Sequence, residues 1–180
     1  FKQKTAYEIG VRLVGSEMCI RDRGHTEQTF RDVTNKFRDK FEKFTISTDV
    51  IVGFPTETEE DFEATLKLLK ETKPDIVNLS RYSQRPGTYA AEMRQIDVTE
   101  VKRRSKTAYE LINEISEENN KNWIGWEGQV IFDEEHEDQI RGRNFAYKPI
   151  FVKEKPKIGQ ISTVKIIDST THSLIGQIMS

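Results

Sequence analysis

Apolar positions along this chain recur at different spacings, and each change of spacing marks a change of element. From Thr26 onward, Phe30, Val33, Phe37 and Phe41 return at intervals of three and four with charged residues between them. That is the spacing of one helical face, and it predicts a helix over about 26–42 with Thr26 as N-cap. Residues 48–54 are then β-branched and apolar without interruption, which predicts a strand buried on both faces, as in a parallel sheet. Gly53 allows a close backbone approach, and Pro55 removes a ladder donor. Thr58 followed by Asp61 forms an acidic capping box that opens a helix over about 59–72, with Phe62, Leu66 and Leu69 facing inward. Lys73 and Pro74 stop that helix, and residues 76–79 form a further short buried strand. Helix, strand, helix, strand in this order predicts parallel βα repeats.

The pattern changes twice more. A long helix opens near Val98 with Thr99 as N-cap and Val101, Ala108, Ile112 and Ile115 as its buried stripe. Beyond Trp123 come five short β-rich runs at about 129–132, 140–143, 147–152, 162–167 and 173–178, the texture of a small closed OB-like barrel. The fold class is therefore α/β followed by a small antiparallel β-barrel. The divisions fall at 1–24, 25–122 and 123–180.

Composition narrows the partners. With 28 basic against 30 acidic residues the net charge is -2, so any nucleic-acid contact must rest on a local patch. No apolar run approaches a membrane span and no leader peptide is visible, so no membrane partner and a cytoplasmic location are expected. The single cysteine, Cys19, leaves no internal disulfide framework and no cysteine-held zinc or iron-sulfur site within these 180 residues. It lies in residues 13–22, Leu-Val-Gly-Ser-Glu-Met-Cys-Ile-Arg-Asp, which have no secondary-structure period and resemble the translation of a sequencing-library adapter. Residues 1–24 are accordingly set aside from the fold reasoning.

Charge is segregated locally. Lys102, Arg103, Arg104 and Lys106 crowd the start of the long helix, against the helix dipole. Such a face is either solvated or held near an RNA backbone. In the last third, Asp133, Glu134, Glu135, Glu137 and Asp138 share one turn, and Arg141, Arg143, Lys148, Lys153, Lys155 and Lys157 follow. Phe145, Tyr147 and Phe151 interleave the basic run, the combination that stacks bases and neutralises phosphates. Alternation assigns Phe151 to the core and leaves Arg141, Arg143, Tyr147 and Lys148 as candidates for RNA contact. His25, His136 and His172 have no metal-ligand spacing.

Two segments of the first half resemble one family. Asp49-Val-Ile-Val-Gly-Phe-Pro followed by Glu57-Thr58, and then Arg81-Tyr-Ser-Gln-Arg-Pro-Gly-Thr88-Tyr-Ala-Ala91, resemble the last barrel strands of radical S-adenosylmethionine (SAM) enzymes that methylthiolate tRNA. Thr56 stands where that family usually has glycine. Trp123-Ile-Gly, Gly142-Arg-Asn-Phe-Ala-Tyr-Lys-Pro149, Gly159 and Leu174-Ile-Gly-Gln177 resemble the TRAM domain, and the Arg-Asn-x-x-Tyr-Lys-Pro run is most similar to the threonylcarbamoyladenosine branch.

The resemblance implies the carboxyl-terminal portion of a partial (β/α) radical-SAM barrel followed by a TRAM barrel. Its cofactors are SAM and 4Fe–4S clusters, and its partners are tRNA and the amino-terminal part of the enzyme. It implies a SAM-facing rim formed by Asp49, Val52, Gly53, Pro55, Ser83, Arg85 and Thr88; Arg85 is equally able to pair with Asp49 or Glu57. No catalytic residue and no metal ligand is assigned within the chain. Lacking the cluster cysteines, the chain is expected to be inactive alone. The alternative reading is a stand-alone tRNA-binding protein without catalysis.

Overall fold

The computed structural model describes residues 26–136 and 138–179. The adapter-like segment, Cys19 and His25 lie outside them, as does Glu137. Among the described residues the chain divides into two compact units, one of residues 26–42 and 47–112, the other of residues 43–46 and 113–179.

The first unit is built from βα repeats. Helix α1 (Glu27–Lys40) is capped by Thr26, whose hydroxyl accepts from Thr29 N. Strand β1 (Ser47–Val52) lies parallel to β2 (Ile76–Arg81), in the register Ser47 opposite Ile76 to Val52 opposite Arg81. Between them runs α2 (Glu59–Thr72), opened by the Thr58–Asp61 capping box: Asp61 N donates to Thr58 Oγ1 at 3.2 Å and Thr58 N donates to Asp61 Oδ2 at 2.9 Å. Lys73, at φ 37°, ends the helix. A short α3 (Tyr89–Glu92) follows, then α4 (Val98–Lys121), whose residues up to Ile112 belong to this unit.

Four sequence expectations change here. Strand β2, expected to be buried at 76–79, has no buried residue: Ile76 is exposed and Val77 and Leu79 are half-buried. Strand β1 is not buried on both faces: Val50 and Val52 are interior whereas Ile51 faces outward, because two strands with helices on one side cover one face only. In α1 the side chains of Val33, Phe37 and Phe41 are largely exposed and Thr34 is the buried residue. That helix meets α2 through polar groups, Arg31 with Glu71 and Arg38 with the carbonyls of Thr72 and Lys73. The cap of α4 is Asp97 rather than Thr99, since Asp97 Oδ1 accepts from Thr99 N at 2.8 Å. A carboxylate two residues before the amide satisfies a free helix-end donor that the Thr99 hydroxyl does not reach.

The second unit is a closed barrel in the order β3-β4-β5-β7-β6, from β3 (Glu127–His136), β4 (Gln139–Arg143), β5 (Pro149–Val152), β6 (Ile161–Ser169) and β7 (Leu174–Ile178). It is mixed rather than wholly antiparallel, because β5 and β7 pair in parallel. Alternate residues Val130, Phe132, Ile140, Ile150, Val152, Val164, Ile166 and Leu174 fill the interior, with Trp123 and Ala146 packed on the same core. Closure leaves no free sheet edge, which suits so small a β unit. Phe151, assigned to the core by sequence, points outward and meets His136 edge-on. The strand begins at Pro149, and its interior residues are Ile150 and Val152, so Phe151 between them faces outward.

Candidate cofactor rim and nucleic-acid interface

At the carboxyl ends of β1 and β2 the chain leaves two adjacent strands, and Tyr82 N still donates to Val52 O at 2.8 Å. Gly53 follows at φ 80°, a conformation that favours glycine. Its N–H donates to Glu57 Oε2 at 2.8 Å, and a Cβ built on it would lie 2.7 Å from the methyl groups of Val101. The close approach that the glycine permits is therefore to α4. The turn closes with Glu57 N donating to Phe54 O, and no positive φ falls at Thr56, so threonine serves where the resembled family has glycine.

Glu57 is the centre of this rim. Its carboxylate also accepts from Arg104 Nη1 at 2.8 Å, with side-chain exposures of 4% and 6%. Arg104 further donates to Glu57 O and to Glu100 Oε1, while Arg103 Nη2 reaches Glu59 Oε1 and Glu100 Oε1, each at 2.6 Å. Hydrogen bonds from Arg103 and Arg104 hold the Glu100 carboxyl at about 2. Burial pushes the Arg104 guanidinium down, but Glu57 and Glu100 outweigh it and the net direction is up. Three of the four cations at the start of α4 thus pair with carboxylates, Lys106 with Glu110 at 3.9 Å being the third.

The other rim residues stand as follows. Val52 is fully buried and Pro55 half-buried; Asp49 is exposed and accepts from Asn78 Nδ2 at 2.8 Å. Ser83, Arg85 and Thr88 are exposed, and Thr88 Oγ1 donates to Arg85 O at 2.8 Å. Neither Asp49 nor Glu57 pairs with Arg85. Two hydroxyls the sequence did not single out, Thr56 Oγ1 and Tyr82 OH, are buried without a hydrogen-bond partner among the described residues. Buried polar atoms of this kind call for a partner. They fit the polar atoms of a small ligand such as SAM. The described residues contain no cysteine, so they do not fit an iron-sulfur cluster.

On the barrel, the acidic and basic runs that are separate in sequence meet across the β3–β4 hairpin. Asp133 accepts from Arg141 Nε at 3.1 Å and from Arg143 Nε at 3.0 Å, and Glu134 also pairs with Arg141. Burial pushes the Asp133 carboxyl up, but the two arginines prevail and its net direction is down. Hydrogen bonding to Asp133 raises Arg141. Arg143 lies over the Tyr147 ring, 4.3 Å from its centroid.

Lys148, expected at the RNA surface, is instead 3% exposed, with Nζ donating to Asn120 Oδ1 at 3.0 Å. Lys148 is in phase with the interior residues Ala146, Ile150 and Val152, while Tyr147, at φ 63°, is exposed. Asn144, whose Oδ1 accepts from the N–H groups of Ala146 and Lys148, had no distinguishing signal in the sequence beyond its place in the motif.

A βαβ unit followed by a closed five-stranded barrel that displays aromatic rings and arginines defines an α/β chain that ends in a small OB-like barrel. That barrel is a TRAM domain: the family model matches residues 129–179. Over 157 residues the chain is 42% identical to the probable threonylcarbamoyladenosine tRNA methylthiotransferase of Methanocaldococcus jannaschii, covering 87% of this chain and 36% of the relative. It is 42% identical over 168 residues to the similarly named protein of Archaeoglobus fulgidus, covering 91% and 39%. It is 38% identical over 164 residues to the tRNA-2-methylthio-N(6)-dimethylallyladenosine synthase of Aquifex aeolicus, covering 90% and 37%. The chain thus spans 36–39% of the length of these curated relatives. No helix among the described residues is long and apolar enough to cross a membrane.

Proposed function

We propose that this chain is the carboxyl-terminal part of a radical-SAM tRNA methylthiotransferase acting on N6-threonylcarbamoyladenosine, with the TRAM barrel as its tRNA grip. The observation that carries the reading is the joint occurrence of a TRAM domain and 42% identity, across most of this chain, to proteins named for that reaction. The Arg143-Asn-Phe-Ala-Tyr-Lys-Pro run supports the threonylcarbamoyl branch over the dimethylallyl one.

SAM, when bound, supplies the methyl group and the radical that abstracts hydrogen. On this chain Thr56 Oγ1 and Tyr82 OH offer buried hydroxyls, and Arg85, Ser83 and Thr88 offer exposed polar groups for its charged end. Glu57 and Arg104 hold the Gly53 turn of that rim in place. No step is assigned through a cluster.

The test is binding by the full chain. Equilibrium dialysis with labelled SAM, and gel shift with tRNA carrying or lacking threonylcarbamoyladenosine, should both give saturable binding, tighter for the modified tRNA. Saturable SAM binding would count against a stand-alone RNA-binding protein, and binding of neither ligand would sink the proposal. After iron-sulfur reconstitution the chain alone should yield no methylthiolated tRNA.

A further inference from the structure

The loop between β4 and β5 is arranged in a way that folding does not reward. Tyr147 occupies φ 63°, a conformation that strains a residue bearing a bulky side chain. Yet 67% of it faces water, as does 69% of Phe145, so neither ring repays the strain by burial. The loop is nevertheless firmly held. Asn144 Oδ1 accepts from Ala146 N and Lys148 N at 3.1 Å each, and Arg143 Nη1 donates to Tyr147 O at 3.2 Å. Lys148 Nζ is buried against Asn120 Oδ1, an expensive place for an ammonium group. Asp133 and Arg143 then fix one more coordinate: the guanidinium covers one face of the Tyr147 ring at 4.3 Å from its centroid.

A ring presented at a conformational cost, braced from within and closed on one face, leaves its other face for a planar ligand. We infer that the open face of Tyr147 is a stacking platform for a single unpaired nucleobase, and that Asn144 and Lys148 are positioning residues that shape the loop without touching RNA. This rests on the tRNA-binding reading and adds to it the feature recognised: an unstacked base in a single-stranded loop, because a duplex leaves no base face free. The guanidinium behind the ring keeps it from turning and strengthens its grip on a base through cation–π polarisation.

The test uses the full chain with two RNAs, a hairpin carrying 2-aminopurine in its loop and a blunt duplex of equal length. Wild type should bind the hairpin more tightly and change the 2-aminopurine emission. Tyr147→Leu should weaken hairpin binding about tenfold and abolish the emission change while duplex affinity stays the same; Tyr147→Trp should retain both. Tyr147→Gly should raise the thermal midpoint, since glycine accepts the positive φ, and still lose hairpin affinity. Lys148→Met should weaken hairpin binding at an unchanged salt slope, whereas a phosphate contact would lower the slope by about 0.7. Hairpin binding and emission unaffected by Tyr147→Leu would overturn the platform and leave the RNA reading standing. Wild type binding neither RNA would sink both.

Discussion

Arg104 Nη1 lies 2.8 Å from Glu57 Oε2, and the pair is almost sealed from water. The same carboxylate oxygen accepts from Gly53 N, so one carboxylate joins the end of β1, the start of α2 and the first turns of α4. Part of a basic cluster at the wrong end of a helix dipole is thereby accounted for: Arg103 and Arg104 meet Glu57 and Glu59 of the preceding βα turn as well as Glu100 of their own helix. Leaving a buried charge without its partner costs about 3–5 kcal/mol. Arg104→Met should therefore lower stability by that order in urea titration, and Glu57→Gln combined with Arg104→Met should recover much of the loss. A double variant no more stable than Arg104→Met alone would show that packing, rather than the stranded carboxylate, sets the cost.

Gly53 should resist substitution for two separable reasons. Gly53→Ala places a Cβ 2.7 Å from the Val101 methyl groups and holds alanine at φ 80°. Val101→Ala in the same chain should relieve the overlap but not the backbone strain, so the double variant should regain only part of the lost melting temperature. Full recovery would mean that the backbone conformation is indifferent to the residue.

Glu100 gives the first unit an acid limit. Its carboxyl sits at about 2 in the folded chain against an ordinary 4.5, lowered by hydrogen bonds from Arg103 and Arg104. A folded value below the unfolded one means that the unfolded chain binds the proton first. The contribution is then complete above about 4.5 and is lost progressively as pH falls towards 2. Glu100→Gln should flatten that limb of the stability profile when urea midpoints are compared between pH 5 and pH 2.5. An identical limb in the variant would assign the acid sensitivity to other carboxylates.

Local signals were legible in the sequence and long-range partners were not. The Thr58–Asp61 cap and the strand-rich last third follow from residues a few positions apart, and the parallel pairing of β1 with β2 follows from the order strand, helix, strand. Val101 against Gly53, and Arg104 against Glu57, depend on a helix returning after more than forty residues, and no spacing announces it. The place of Lys148 follows from the phase of the alternation: with Phe151 taken as core, the even positions point to solvent, whereas Ile150 and Val152 are the interior residues and Lys148 shares their side. The charge blocks after Phe132 were read as separate patches, yet a hairpin folds consecutive blocks of opposite sign against each other.

On the RNA-binding reading proposed above, that pairing makes the strength of the grip adjustable at one position. Asp133 accepts from both Arg141 and Arg143, so its carboxylate competes with any phosphate for two guanidinium groups. Asp133→Asn removes the competing charge while keeping an amide oxygen as acceptor. Partly exposed pairs of this kind contribute about 0–1 kcal/mol, so the barrel should stay folded. RNA binding should tighten at low salt, and the slope of log K against log salt should steepen by about 0.7 for each arginine that turns to a phosphate. A weaker complex with an unchanged slope would mean that Asp133 matters by holding Arg143 over the Tyr147 ring, and not by competing with phosphate. A complex unchanged in both affinity and slope would remove the β3–β4 face from the interface.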